Sequence, residues 1–304
     1  MRIKPRSWQQ LRPKMLKENL RSARQRLQNI EIPTSDAEHL AAHVLGVNRM
    51  ELHAREFAFT EEQEREFEDL LGKRIEGIPL QYLTGIAPFR YLEFEVGPGV
   101  LIPRPETELL VDAALVEIER IQSDLSWNFR PTSVVDLGSG SGAIAISIAD
   151  EANRRGLKVQ VIAVESEESA IKWLKQNIAK HEVDIRVVAE NVTDALVDVK
   201  CDLVIANPPY IPIEIKETLP IELSYEPASA LFGGSAGVEV PKLFIAAASR
   251  LLKSGGLLLM EHYETHAREI EILLGNAFSD IQNYLDLNGR SRWVAARRLK
   301  LESQ

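Results

Sequence analysis

Apolar positions along the chain follow two regimes, and the change comes near residue 89. Before it the spacing is helical. Leu11, Met15, Leu20 and Leu27 recur at loosely helical intervals. Ser35 with Glu38 forms a capping-box pattern ahead of Leu40, Val44 and Leu45, and Gly46 follows as a stop signal. Thr60 with Gln63 repeats the pattern before Phe67, Leu70, Leu71 and Ile75, with Gly77 at the end. These stripes predict a small helical bundle whose apolar faces close on one another.

From Phe89 onward the period shortens. Phe89, Tyr91, Phe94 and Val96 predict a strand, Gly97-Pro98-Gly99 a turn, and Val100-Leu101-Ile102 the returning strand. Pro103-Arg104-Pro105 then leads into a helix holding Leu109, Leu110, Val111, Ala114 and Leu115. Strand and helix patterns alternate thereafter, with strands expected near 133–136, 159–164, 185–189, 203–206 and 256–261. A last strand, Trp293 to Arg298, follows the loop Leu287-Asn288-Gly289-Arg290. This order predicts an α/β fold with a doubly wound, mostly parallel sheet. The expected division is a helical domain over 1–88, a hairpin linker acting as hinge over 89–105, and an α/β domain over 106–304.

Three features on the predicted strand ends carry chemistry. The strand Val134-Val135-Asp136-Leu137 runs into Gly138-Ser139-Gly140-Ser141-Gly142, and an amphipathic helix follows. Glycine at every second position lets the backbone turn sharply and lets a ligand approach closely. The Gly-x-Gly-x-Gly spacing departs from that of dinucleotide sites, and no Lys-Ser/Thr pair follows as in a P-loop. The next strand ends in Glu165, 23 residues after Gly142, where an acid can accept both hydroxyls of a ribose. A solvated glutamate in an acidic run is the plainer reading of Glu165 alone. Its place beside the glycine loop outweighs that.

The third feature is Asn207-Pro208-Pro209-Tyr210 at the end of an apolar strand. A side-chain amide oxygen and a backbone carbonyl can each accept one N–H of a planar –NH₂ group, and the prolines stiffen the backbone. The tyrosine offers a face for stacking. A Pro-rich turn after a strand is the bland alternative for the tetrapeptide in isolation. Taken together, the three features predict a Rossmann-like class I methyltransferase that uses S-adenosylmethionine and acts on an amino or amide nitrogen.

Composition narrows the class. No apolar run approaches the ~18–20 residues of a membrane span. The single cysteine, Cys201, opens an apolar strand, which predicts a buried structural thiol, and a reducing cytoplasmic compartment fits. The net charge is −9, yet residues 1–30 carry nine Lys/Arg and one acid, leaving −17 for the remainder. So acidic a body is poorly suited to tracking a nucleic-acid backbone. The basic start reads first as a solvated helix face, with an RNA or ribosome contact as the second option. His262 and His266 have zinc-like spacing, but Glu264 stands where no metalloprotease motif places its acid, and no metal is expected.

The chain resembles the protein-(glutamine-N5) methyltransferases that modify peptide chain release factors, the HemK-like or PrmC family. The resemblance spans nearly the whole sequence. It includes Gly77-Ile78-Pro79-Leu80-Gln81-Tyr82-Leu83-Thr84-Gly85 and Pro98-Gly99-Val100-Leu101-Ile102-Pro103-Arg104-Pro105-Glu106-Thr107-Glu108. It continues through the glycine loop, the Asn-Pro-Pro-Tyr tetrapeptide, Tyr225-Glu226-Pro227-Ala228-Ser229-Ala230-Leu231 and Gly289-Arg290-Ser291-Arg292. Glu165 stands where the family usually has aspartate, and Asn191 where an aspartate often lies beside the adenine. Glu261-His262-Tyr263 replaces a commoner glutamate-apolar-glycine.

The resemblance implies a substrate, the glutamine of a Gly-Gly-Gln motif in a bacterial-type release factor, and S-adenosylhomocysteine as product. It implies catalysis by Asn207 and Pro208, with Pro209, Tyr210 and Phe89 also around the glutamine. It places Gly138, Ser139, Gly140, Ser141, Gly142, Glu165, Asn191, Val192 and Asn207 at the cofactor, with Thr107 and Glu108 at the border of its pocket. The helical domain would recognise the substrate. No membrane or nucleic-acid substrate is expected, and a monomeric state is one option left open. The rivals are the sister family that methylates a ribosomal-protein glutamine, a DNA or RNA amino-methyltransferase, and a non-catalytic binding module.

Overall fold

The structure is a computed structural model that describes residues 16–124 and 127–299, so the predicted helical positions Leu11 and Met15 lie outside the described residues. The chain forms two compact units, Met1–Thr84 and Gly85–Gln304.

In the first unit, α1 (Leu16–Gln28), α2 (Asp36–Leu45), α3 (Glu51–Ala54), α4 (Glu61–Ile75) and α5 (Leu80–Thr84) are linked by short turns. Leu20, Leu27, Leu40, Phe67 and Leu71 supply a core of their own. Thr60 caps α4 as expected: its Oγ1 accepts the Gln63 N–H at 3.2 Å, and the Gln63 side chain accepts the Thr60 N–H at 3.0 Å. Gly46 ends α2 in the left-handed region at φ 64°.

The expected Ser35 cap does not form. Ser35 already has helical backbone angles, φ −62° and ψ −23°, so its hydroxyl makes no cap bond. Its intended partner Glu38 is drawn elsewhere, accepting from Arg49 Nε at 2.7 Å and from Arg24, with His53 at 3.4 Å.

The second unit opens with a hairpin placed differently from the sequence expectation. Its strands are β1 (Ile86–Phe89) and β2 (Leu92–Glu95), with Phe89 opposite Leu92, so the chain reverses at Arg90-Tyr91. Arg90 takes φ 56°, an uncommon choice for arginine that no turn residue announces. Glu108 secures it by accepting the Arg90 N–H at 2.9 Å, while Glu151 accepts from the guanidinium at 2.8 and 2.9 Å. Gly97-Pro98-Gly99 is therefore not the hairpin turn. The hairpin lies wholly inside the second unit, and the division falls between Thr84 and Gly85 rather than along 89–105.

The remaining elements are α6 (Glu108–Ser123), β3 (Thr132–Leu137), α7 (Ala143–Arg154), β4 (Val159–Val164), α8 (Glu168–His181), β5 (Ile185–Val188) and β6 (Cys201–Ala206). They continue with α9 (Ala228–Leu231), α10 (Glu239–Leu251), β7 (Leu252–Glu261), α11 (Ala267–Leu274), β8 (Phe278–Leu285) and β9 (Ser291–Arg298). The glycines at 97 and 99 pack on α8, where a Cβ on Gly97 would stand 2.6 Å from the Trp173 ring.

Seven strands form one sheet in the order β5-β4-β3-β6-β7-β9-β8. The first five are parallel, and β9 runs antiparallel to both its neighbours. This is the doubly wound, mostly parallel sheet that the alternation predicts. β6 is buried along its whole length, and beyond Asp202 its residues 203–206 read as an unbroken apolar run. β8 escapes sequence reading because it is an edge strand. Ser279, Asp280, Gln282 and Asn283 dilute its apolar signal, and its register shifts beside Asp280 at φ 50°. β7 also begins earlier than expected, at Leu252, because Gly255 and Gly256 sit in a register shift inside the strand rather than before it.

Burial by itself would raise the Glu38 carboxyl, but hydrogen bonds from Arg49 and Arg24 outweigh it and bring it from 4.5 down to about 2. A carboxyl depressed on folding stabilises above its unfolded value and loses that contribution as pH falls toward the folded one. Glu38→Gln should therefore lower the melting temperature at neutral pH, and its deficit should narrow as the pH drops below 4.5. A deficit that stays constant in melts across that range would show that the charge plays no part.

Candidate functional site

The strand order reverses between β3 and β6, and a cavity of about 310 Å³ opens there at the carboxyl ends of the parallel strands. That is where an open α/β sheet places its ligand. Gly138, Gly140 and Gly142 all have positive φ, at 71°, 54° and 88°, so the turn from β3 into α7 needs glycine at each. A Cβ on Gly140 would meet nothing nearer than Val100 at 3.9 Å, which leaves that backbone bare toward the cavity.

The loop's donors are held by the neighbouring strand. The Val164 carbonyl accepts from the N–H groups of Gly138 at 2.9 Å and Ser139 at 3.0 Å. Glu165 Oε2 accepts the Gly140 N–H at 2.9 Å, while Oε1 accepts those of Ser166 and Glu167 at 2.8 and 2.9 Å. The carboxylate is thus fixed in direction by three backbone donors. Of its roughly four acceptor sites one remains, on Oε2, for a hydroxyl group.

Most of the sequence-predicted residues meet at this cavity. Gly138, Ser139, Gly140, Ser141 and Glu165 line it, together with Asn191 and Val192. Thr107, Asn207, Pro209 and Phe89 line it as well. Phe89 is buried edge-on against Phe94, with ring centroids 6.1 Å apart.

Four expected residues are outside the lining. Gly142 is required by packing, since a Cβ there would lie 2.7 Å from both Ile146 and Leu174. Glu108 braces the Arg90 turn instead. Pro208 is buried beneath the turn. Tyr210 points its hydroxyl at Glu261 Oε1, 2.7 Å away. Asn191 lines the cavity, but its amide oxygen accepts the N–H and hydroxyl of Thr193, each at 3.0 Å, so that oxygen serves its own turn. His262 follows β7 directly, and His266 stands at the N-cap position of α11 without a side-chain cap bond. No group of three potential metal ligands occurs among the described residues.

Residues 18–85 match the family model for the PrmC N-terminal domain, and residues 118–219 that for the methyltransferase small domain. The release factor glutamine methyltransferase of Streptomyces coelicolor is 36% identical over 281 residues, covering 91% of this chain and 95% of that one. That of Mycolicibacterium smegmatis is 39% identical, covering 89% and 92%. That of Chlorobaculum tepidum is 35% identical, covering 88% and 90%. The chain belongs to the release factor glutamine methyltransferases.

The chain has the Rossmann-like class I S-adenosylmethionine-dependent fold, and the bare Gly140 backbone, fixed Glu165 and cavity size fit that cofactor. Sequence reasoning gave no role to Arg104 and Glu226, although both lie in motifs that carry the resemblance. They form an ion pair, and Glu226 Oε2 also accepts the Ile102 N–H at 2.9 Å. The clamp joins the segment after the hairpin to the segment before α9, and both segments line the cavity.

Asp136 was also passed over. It is buried under the glycine loop, its Oδ2 accepts the Ala145 N–H at 3.2 Å, and its Oδ1 has no partner among the described residues. Burial, with Glu165 nearby adding to it, pushes Asp136 up from 3.8 to about 7. A carboxyl raised on folding keeps its proton while the unfolded chain ionises, so stability is lost as pH rises from the unfolded to the folded value. Asp136→Asn should remove that loss. In thermal melts the variant should gain on the parent as pH climbs from 3.8 to about 7. A gap that stays flat over this window would show that Asp136 is ionised throughout.

Proposed function

We propose that this enzyme transfers a methyl group from S-adenosylmethionine to the side-chain amide nitrogen, N5, of the glutamine in the Gly-Gly-Gln motif of a peptide chain release factor. The observation that carries the reading is Asn207, seated on the cavity wall at the end of β6, beside a glycine loop shaped for a nucleoside cofactor. The near full-length similarity to enzymes named for this reaction supports it.

An amide nitrogen is a poor nucleophile because its lone pair is delocalised into the carbonyl. Accepting both of its N–H protons, at Asn207 Oδ1 and the Pro208 carbonyl, raises electron density on nitrogen and directs the lone pair. The cofactor, when bound, supplies a methyl group already activated by the sulfonium charge. No strong base is therefore needed in the chain, because the methylated nitrogen is acidic enough to release its extra proton to solvent. Gly140 gives close backbone approach, and Glu165 takes a ribose hydroxyl. Positioning and preorganised acceptors carry the catalysis. Phe89 and Pro209 form apolar walls for the glutamine side chain, while the helical first unit recognises the release factor. The location is that of translation factors, the cytoplasm.

Labelled S-adenosylmethionine offered with release factor, ribosomal protein and oligonucleotides should label the release factor, and replacing the glutamine of its Gly-Gly-Gln motif should end the labelling. Labelling of ribosomal protein or nucleic acid with none on the release factor would overturn the reading.

Asn207→Ala should leave cofactor affinity in place, since the glycine loop and Glu165 are untouched. Turnover should fall by about 10²-fold or more, the scale of losing one preorganised polar partner. Near-normal single-turnover methylation by the folded, cofactor-saturated variant would refute the role of Asn207.

A further inference from the structure

Glu261 ends β7 as one of the most buried acids in the chain, 1% exposed, and both of its oxygens are engaged by hydroxyl groups. Oε2 accepts from Thr107 Oγ1 at 2.7 Å, and Oε1 accepts from the Tyr210 hydroxyl at 2.7 Å. Burial raises its pKa, while the two hydroxyl donors favour the charged form and pull it back. In the structure each hydroxyl donates to one Glu261 oxygen, and a hydroxyl has a single proton to donate.

Thr107 Oγ1 is left with lone pairs alone. Asn207 meets it with Nδ2 at 3.1 Å. If the amide were flipped, two acceptor oxygens would face each other at that distance, with no proton between them. The chain Glu261–Thr107–Asn207 therefore has a polarity, and the polarity selects one of the two amide orientations. Asn207 Oδ1 is kept as the acceptor that the side chain offers to a ligand.

We propose that Glu261 is a positioning residue that acts through Thr107 to hold the Asn207 amide with its oxygen toward the target, which makes the site an acceptor of N–H donors. It holds both ends of the Asn-Pro-Pro-Tyr turn at once, Asn207 through Thr107 and Tyr210 directly. The consequence is selectivity for a carboxamide over a carboxylate. A flipped Asn207 would offer N–H groups and repel the –NH₂ of glutamine.

The proposal rests on the methyl transfer proposed above, and its test separates the two. In Glu261→Gln the new amide can donate to Thr107, which frees the threonine proton to point at Asn207 and releases the flip. With release factor as substrate, kcat should fall by about 10- to 10²-fold, the scale of misdirecting a catalytic group. The calorimetric affinity for S-adenosylmethionine should be unchanged. Thr107→Val should show a similar loss, the double variant should be no worse than either single, and Thr107→Ser should recover most of what Thr107→Val loses.

A second readout does not depend on turnover. In protein labelled with ¹⁵N at asparagine, the Asn207 side-chain NH₂ signals, identified by their disappearance in Asn207→Ala, should exchange slowly with solvent. They should lose that protection in Glu261→Gln and Thr107→Val. If Glu261→Gln does not fold, the contrast between Thr107→Val and Thr107→Ser carries the same test. Normal kcat in a folded Glu261→Gln, additive losses in the double variant, or Asn207 signals that ignore both substitutions would overturn the relay. If the parent enzyme leaves release factor unmethylated, the functional reading fails, and the exchange measurement still decides the positioning role.

Discussion

The site depends on strand register. Leu137 of β3 is opposite both Val164 of β4 and Ala206 of β6, and Ala206 is opposite Met260 of β7. These four residues form one row across the parallel sheet. The residue after each is therefore delivered to the same level: Gly138, Glu165, Asn207 and Glu261. A slip of one residue in any strand would turn its side chains to the other face and break up the set. Continuous burial on both faces opposes such a slip, because Leu137, Val164, Ala206 and Met260 all belong to one apolar core.

Above that row the backbone satisfies itself before any ligand arrives. The Val164 carbonyl and the Glu165 carboxylate take the N–H groups of Gly138, Ser139 and Gly140. The loop's shape is thus a property of the β3–β4 pair. The acids gathered there, Asp136, Glu165 and Glu261, are all buried.

The two units use charge differently. In the first, Glu38 gathers Arg24, Arg49 and His53, and buried Arg74 meets Asp36 at 2.8 Å. These contacts tie helices whose apolar stripes already form a core. In the second, ion pairs of similar geometry fix loops instead. Arg90 with Glu151 holds a turn that has a positive φ, and Arg104 with Glu226 holds two segments of the cavity wall. Pairs of this buried kind are more informative about which arrangement is specified than about how much stability results.

Periodicity and spacing by themselves determined the helical first region, the parallel strands β3 to β7, the glycine loop, Glu165 and the Asn-Pro-Pro-Tyr turn. Each is a local pattern: an apolar run, a required left-handed glycine, or a stiff polar turn. The reversal at Arg90-Tyr91 was decided by tertiary contacts, since Glu108 and Glu151 hold an arginine where a sequence reader looks for glycine. The Ser35 cap failed for a similar reason, because arginines distant in sequence claimed Glu38. β8 emerged only from pairing along β9 at the sheet edge. The direction of the Asn207 amide is set by Thr107, 100 residues away, and by Glu261, 154 residues from Thr107. Hydrogen-bond polarity passes through space rather than along the chain, so the sequence determined which groups are present and only the folded sheet decided which way they point.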